Sequence, residues 1–132
     1  MSNKLNLKSI KPFNALFAIG LRKGYSKEFV EPEEVILKLR AYQAKLIETK
    51  EIFLSVSITD CTIVLKDHQE PHLKFEFLNY PRFPMEPATL KKEIIKLAEY
   101  MMNEFEQNRI VISFQDETLM LEMSSEVDPG VR

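Results

Sequence analysis

Residues 52–65 read IFLSVSITDCTIVL, and the spacing of their apolar side chains changes part-way through the segment. Alternating apolar residues lie at the even positions Ile52, Leu54, Val56 and Ile58 and then at the odd positions Cys61, Ile63 and Leu65. Since side chains alternate between the two faces of a strand, a hairpin at Thr59-Asp60 would return all of them to one face. The pattern therefore predicts a hairpin at Thr59-Asp60, and a bulge in one long strand is the alternative.

The C-terminal segment repeats this change of spacing around Asp116-Glu117. Alternating apolar residues lie at the even positions Ile110, Ile112 and Phe114 and then at the odd positions Leu119, Leu121 and Met123. A turn at Asp116-Glu117 would pair Phe114 with Leu119 and keep the large side chains on one face. The segment is therefore predicted to form a second hairpin.

Two helices are predicted, each beginning at a proline that follows a glutamate. Proline is tolerated at the first helical position, and a glutamate there complements the positive end of the helix dipole, which fits Glu31-Pro32 and Glu86-Pro87. Apolar residues then recur every three or four positions. Before the first helix, residues 14–21 read NALFAIGL, an almost continuous apolar run typical of a central strand.

These elements predict a single α+β domain over residues 1–132, with two layers in which two helices pack on a mixed β-sheet. In the main version, residues 14–66 and 72–123 are pseudo-duplicated βαββ units. If a bulge in one long strand causes each change of spacing instead, the alternative is a ferredoxin-like βαββαβ sheet. Residues 1–12 are predicted to form a flexible arm or an edge strand, and residues 124–132 a disordered tail.

Composition limits the class of protein. A hydrophobic share of 45% and a charged share of 29% are ordinary for a globular domain of 132 residues. The single cysteine, Cys61, excludes a disulfide framework within the monomer and is predicted to be a small core residue. No apolar run reaches the roughly 20 residues of a membrane helix, and the first residues do not resemble a signal peptide. A cytoplasmic protein without contact to a membrane is therefore expected.

A candidate ligand site depends on the first hairpin. With that hairpin, the strands 14–21 and 72–80 run in the same direction, and the loops that follow them emerge at one edge of the sheet. Such an edge, beside two helix N-termini, favours anions. We therefore predict a site for a small carboxylate or phosphate, formed by Arg22, Lys23, Tyr25, Lys27, Asn79, Tyr80 and Arg82.

Residues 80–84, YPRFP, form the most unusual local string, because two prolines stiffen a loop that carries two aromatic side chains and an arginine. A stiff loop loses little entropy when it binds a partner, which suits recognition. The favoured interpretation is nevertheless structural: the loop leads the chain into the second helix, and Phe83 caps the core.

Metal binding and covalent catalysis have little support in the sequence. His68 and His72 lie near Glu70, but Pro71 excludes helical spacing and the chain has no third histidine. The expectation is a protein without a metal or cofactor. No serine lies in a nucleophile-elbow motif, and Cys61 is expected to face the core.

The leading functional hypothesis is a non-catalytic binding or assembly module that forms a homodimer through a sheet edge or an exposed sheet face. The alternative is a small cofactor-independent enzyme or binder that acts on an anionic metabolite through Arg22 and Arg82. A second alternative is a nucleic-acid-associated protein, since the first 27 residues carry six basic and no acidic side chains. The acidic remainder of the chain and the absence of tryptophan count against it.

Overall fold

The computed structural model describes residues 4–126, which form two helices and five strands. In chain order these are β1 (Asn14–Gly20), α1 (Pro32–Lys50), β2 (Ser57–Leu65), β3 (His68–Leu78), α2 (Pro87–Glu104), β4 (Arg109–Phe114) and β5 (Thr118–Glu122). Both helices begin at the predicted prolines. The α+β class with two helices on one sheet is confirmed. Neither helix in the described range is long and apolar enough to cross a membrane.

The sheet has the order β2-β3-β1-β4-β5, and every neighbouring pair is antiparallel. The predicted mixed sheet is therefore wrong, and the strand order is that of the ferredoxin-like alternative with β5 added beyond β4. The first hairpin turns at Lys66-Asp67, where Lys66 has a left-handed φ of 55°. The predicted turn at Thr59-Asp60 is wrong, because those two residues lie inside β2 and pair with β3.

The change of apolar spacing in β2 has another physical cause. Ile58 lies opposite Phe75, which is fully buried beneath the helices, so the even positions face the core. Cys61 lies opposite His72, so the odd positions face the side of the sheet that has no helix. The spacing changes because the apolar side chains move from one face of an edge strand to the other. Cys61 is only partly buried on this open face, so its predicted place in the core is wrong.

The second hairpin is confirmed, but its turn lies one residue earlier than predicted, and the predicted pairing of Phe114 with Leu119 is wrong. Ile112 pairs with Leu119, and the backbone N–H of Phe114 donates to the carbonyl of Glu117 at 2.8 Å. The turn therefore lies at Gln115-Asp116. The side chain of Gln115 is used outside the ladder, where it binds the backbone of residues 12 and 14.

The core lies between the helices and one face of the sheet. Phe17 of β1 stacks on Phe75 of β3 with ring centroids 4.7 Å apart, and both rings are completely buried. The helices contribute Val35, Leu39, Leu46, Leu90, Ile94, Leu97 and Met101 to the same core. Each large apolar side chain buried in this way stabilises the fold by roughly 1.5–3 kcal/mol.

The ends of the described chain differ from each other. Residues 4–12 contain neither strand nor helix and are exposed, so the predicted edge strand is absent from this range. At the other end, Ser124 and Glu126 are held by hydrogen bonds to Asn108 and Tyr25. The first three residues of the predicted tail are therefore fixed against the domain, and residues 127–132 lie outside the described range.

Candidate functional site

A cleft of about 360 Å³ opens on the helix-free face of the sheet, where β1 ends. Three segments line it: residues 24–25 after β1, residues 63–72 at the β2–β3 hairpin, and residues 107–109 between α2 and β4. Its volume falls in the usual range for small-molecule sites. We call it the Glu70 cleft, after the carboxylate that lines it.

The carboxylate of Glu70 is held by two basic side chains. Its Oε2 atom lies 3.3 Å from Nη2 of Arg22 and 3.4 Å from Nε2 of His68. The Glu70 side chain is only 19% exposed, so these contacts compensate a largely desolvated charge. Arg22 reaches Glu70 because β1 and β3 are antiparallel, and the N–H of Leu21 donates to the carbonyl of Pro71 at 3.0 Å.

The hydroxyl of Tyr25 fixes the rim of the cleft. It accepts hydrogen bonds from Nδ2 of Asn108 and Nη1 of Arg109, each at 3.0 Å, and donates to the carbonyl of Glu126 at 3.0 Å. The hydrogen bond with Glu122 raises the pKa of Arg109 above its usual value. A guanidinium stays protonated in proteins, so Arg109 is a permanent donor to Tyr25 at this rim.

The loop that carries Tyr25 turns sharply before it. Gly24 has a left-handed φ of 54°, which glycine adopts at little cost, and its N–H donates to the carbonyl of Glu106 at 2.8 Å. This bond joins the loop after β1 to the connection between α2 and β4. Two walls of the cleft are thereby tied together.

The wall next to Glu70 is apolar. Ile63 and Leu65 project from the open face of β2 and are 45% and 60% exposed. Exposed apolar side chains beside a partly buried carboxylate suit a ligand that has an apolar part and a hydrogen-bonding or cationic part. These are also residues whose odd-numbered spacing led to the wrong hairpin.

The first loop of the predicted anion site lies at this end of the sheet. Arg22 binds Glu70 and Tyr25 lines the cleft, while Lys23 forms an ion pair with Glu28 and Lys27 is exposed on the same loop. The prediction thus placed two residues at the cleft, but it missed the carboxylate that Arg22 contacts.

The second loop of the predicted site lies at the other end of the sheet, so the predicted convergence is wrong. Asn14, at the start of β1, pairs with Leu78, at the end of β3, and Asn79, Tyr80 and Arg82 follow that end. The two loops are separated by the length of β1, about 20 Å for seven residues. Arg22 and Arg82 therefore cannot hold one small anion together.

The YPRFP loop has a rigid structure of its own. Nδ2 of Asn79 donates to the carbonyl of Met85 at 2.8 Å, and its Oδ1 accepts from the Met85 N–H at 2.9 Å. The ring of Phe83 stacks on Phe53 at 4.6 Å and on Tyr80 at 6.1 Å. Asn79, a predicted ligand residue, is thus used by the loop itself.

Gln107 and Asn108 line the cleft and were missed by sequence reasoning. Both lie in the short connection after α2, and no motif marks them. His68 and His72, considered above as metal ligands, flank Glu70 at the cleft. Within residues 4–126, no group of three or more histidine, cysteine or acidic side chains is placed to hold a metal ion.

Comparison with known proteins yields structural similarity without sequence similarity. No family model matches the chain. No curated protein matches it either. A solved structure of a phage SAM lyase in complex with S-methyl-5′-thioadenosine superposes with a TM-score of 0.67 at 10% identity, covering 95% of this chain and 100% of the lyase. A phage SAM lyase in the apo state gives 0.64 at 11% identity, covering 96% and 99%. At this identity the similarity establishes the fold alone.

Proposed function

We propose that the protein is an enzyme that binds SAM (S-adenosylmethionine) in the Glu70 cleft and cleaves it to S-methyl-5′-thioadenosine. The observation that carries this proposal is the cleft itself, a space of about 360 Å³ in which a partly buried carboxylate lies beside an apolar wall. The phage SAM lyases support it through a fold shared over nearly the whole length of both chains.

The chemistry of SAM matches the two kinds of side chain in the cleft, the apolar ones and the carboxylate. SAM has a positively charged sulfonium centre that carries a methyl group and an adenosine. Ile63 and Leu65 offer apolar contact to the methylthioadenosine part, and the carboxylate of Glu70 attracts a cation and accepts hydrogen bonds. A bound nucleoside would use the wall and the carboxylate together.

Cleavage of a sulfonium needs no metal to activate the leaving group. When the carbon–sulfur bond of the amino-acid side breaks, sulfur keeps the electron pair and becomes a neutral thioether. As this bond breaks, the carboxylate of the four-carbon fragment attacks the carbon that sulfur leaves and closes a lactone, or a carboxylate such as that of Glu70 takes a proton from the neighbouring carbon and a double bond forms. Either course requires the substrate to be held in one conformation, which contributes strongly to rate.

In this proposal Glu70 binds and orients the substrate. Its Oε2 atom is already occupied by Arg22 and His68, so the carboxylate is held in one position before the ligand arrives. Tyr25, fixed by Asn108 and Arg109, gives an aromatic side to the rim.

The proposal is tested by incubating the purified protein with SAM and measuring S-methyl-5′-thioadenosine by liquid chromatography and mass spectrometry. Glu70→Gln keeps the size of the side chain and removes its charge, and we expect turnover to fall at least about tenfold. Glu76→Gln is the matched control, because Glu76 lies on the same strand outside the cleft and pairs with Lys74. Binding of the thioadenosine without turnover would reduce the proposal to a binding protein, and absence of both would refute it.

A second proposal is self-association, which follows the homodimer hypothesis drawn from the sequence. Leu16, Val111 and Met120 lie on the helix-free face of the sheet and are 40%, 48% and 56% exposed. Such an apolar surface favours contact with another copy. Light scattering after gel filtration measures the mass, and Val111→Lys should lower it, whereas Leu37→Lys on α1 should not. A wild-type protein that is monomeric at every concentration would contradict this proposal.

A further inference from the structure

Gln107 lies where β1 and β4 stop pairing. Their ladder covers only Ala15–Phe17, opposite Ile112–Phe114, and leaves the last three residues of β1 without a partner on that side. The Oε1 atom of Gln107 accepts a hydrogen bond from the N–H of Gly20 at 2.9 Å. The side chain thus takes the place of a strand contact at the edge of the cleft.

The other end of the same amide binds two carbonyl groups. Nε2 of Gln107 donates to the carbonyl of Arg22 and to that of Phe105, each at 2.9 Å. One side chain therefore holds the backbone on both sides of Leu21, and with it the position from which the Arg22 guanidinium reaches Glu70. The amide is partly buried, so water replaces these bonds poorly.

Gly20 leaves the space that this arrangement needs. A Cβ atom at position 20 would lie 2.9 Å from Oε1 of Glu70 and 3.0 Å from Oε1 of Gln107. Both atoms are the far ends of flexible side chains, so a methyl group there would displace the two side chains while the backbone stays in place. A methyl group at position 20 should therefore change the geometry of the cleft with little effect on the fold.

We propose that Gln107 is a positioning residue of the Glu70 cleft, which acts on the Glu70 carboxylate through Gly20 and Arg22. The proposal rests on the proposed function for its ligand, and on the hydrogen bonds above for its geometry. It does not require Gln107 to contact the substrate. Its consequence is energetic coupling between Gln107 and Glu70. A change of Gln107 should affect ligand affinity only when residue 70 carries a carboxylate.

A double-mutant cycle tests this coupling. The affinity for S-methyl-5′-thioadenosine is measured by calorimetry in wild type, Gln107→Leu, Glu70→Gln and the double variant. We expect Gln107→Leu to weaken binding at least about tenfold in the wild-type background and less than about threefold beside Glu70→Gln. Gly20→Ala should weaken binding like Gln107→Leu, and Ala18→Ser, on the same face of β1, should leave it unchanged. Equal effects of Gln107→Leu in both backgrounds would overturn the proposal.

A second readout needs no ligand, so it distinguishes a failure of the proposed function from a failure of the positioning role. The ring resonances of His68, which lies 3.4 Å from Glu70, are followed by NMR in the same four proteins. Gln107→Leu should shift them in the wild-type background and not beside Glu70→Gln. If the thioadenosine does not bind but the resonances behave in this way, the positioning role holds and the ligand is wrong. Unchanged resonances in both Gln107→Leu and Gly20→Ala would overturn the positioning role.

Discussion

Replacing Asn79 tests whether the YPRFP loop is a rigid structure or an adaptable ligand loop. The side chain of Asn79 makes two hydrogen bonds to the backbone of Met85, at 2.8 and 2.9 Å, in a partly buried position. Asn79→Ala removes both and leaves one N–H and one carbonyl of Met85 without these partners. Because the loop leads into α2, their loss should weaken the docking of that helix.

The magnitude follows from the two bonds. Each net hydrogen bond is worth about 0.5–1.5 kcal/mol, so Asn79→Ala should lower the free energy of unfolding by about 1–3 kcal/mol. Asn79→Asp keeps the acceptor for the Met85 N–H and loses the donor to the Met85 carbonyl, so its loss should be intermediate. At a urea slope of about 2 kcal/mol/M, a loss of 2 kcal/mol lowers the unfolding midpoint by about 1 M.

The assay is urea unfolding followed by circular dichroism, together with the affinity for S-methyl-5′-thioadenosine. Arg82→Ala is the control, because Arg82 is exposed in the same loop, and its stability should stay within about 0.5 kcal/mol of wild type. Since the loop lies at the opposite end of the sheet from the Glu70 cleft, Asn79→Ala should not change the affinity. A stability loss below about 0.5 kcal/mol, or a large loss of affinity at wild-type stability, would refute this reasoning.

Three further predictions concern the core, the open face and alkaline pH. Phe75→Ala should cost about 3–5 kcal/mol in chemical unfolding, whereas Leu37→Ala, at a position 61% exposed, should stay within about 0.5 kcal/mol; equal costs would contradict the packing. Cys61 should react with a thiol reagent in the native protein, and a rate limited by global unfolding would place it in the core instead. Burial, followed by the charge of Glu93, raises the pKa of Tyr42 above 10.0, so folding favours the protonated phenol. Stability should therefore fall as the pH rises above about 10, and a fall that is equally steep in Tyr42→Phe would show that Tyr42 is not its source.

The helices and the central strand β1 could be predicted, because the pattern of apolar residues along each segment is enough to identify it. Pro32 and Pro87 fix the helix starts by stereochemistry alone, and the apolar stripes that follow pack on the sheet as expected. Residues 14–20 form a central strand because apolar side chains occupy nearly every position. These are local properties, so the pattern along the chain is sufficient.

The edge strand β2 could not be predicted in the same way, because two different surfaces shape its sequence. Near Ile58 the helices cover the strand, so its apolar side chains lie on the core face. Near Ile63 the helix face carries exposed side chains, and the apolar residues instead line the Glu70 cleft on the other face. An interpretation that assumes one buried face has to explain this change of apolar spacing by a turn. The same error placed β3 parallel to β1 and brought Arg22 together with Arg82 in place of Glu70.

The antiparallel pairing of β1 with β3 also explains why the cleft lies where it does. Gly20, the last residue of β1, pairs with His72 near the start of β3. This register places Arg22, two residues after β1, beside Glu70, two residues before His72. On the other side of β1, the ladder with β4 ends at Phe17, which opens a gap that Gln107 spans with its amide. The cleft therefore forms where β1 is still paired with β3 but is no longer paired with β4. None of the residues that hold it forms a motif, because their proximity is created by the strand order.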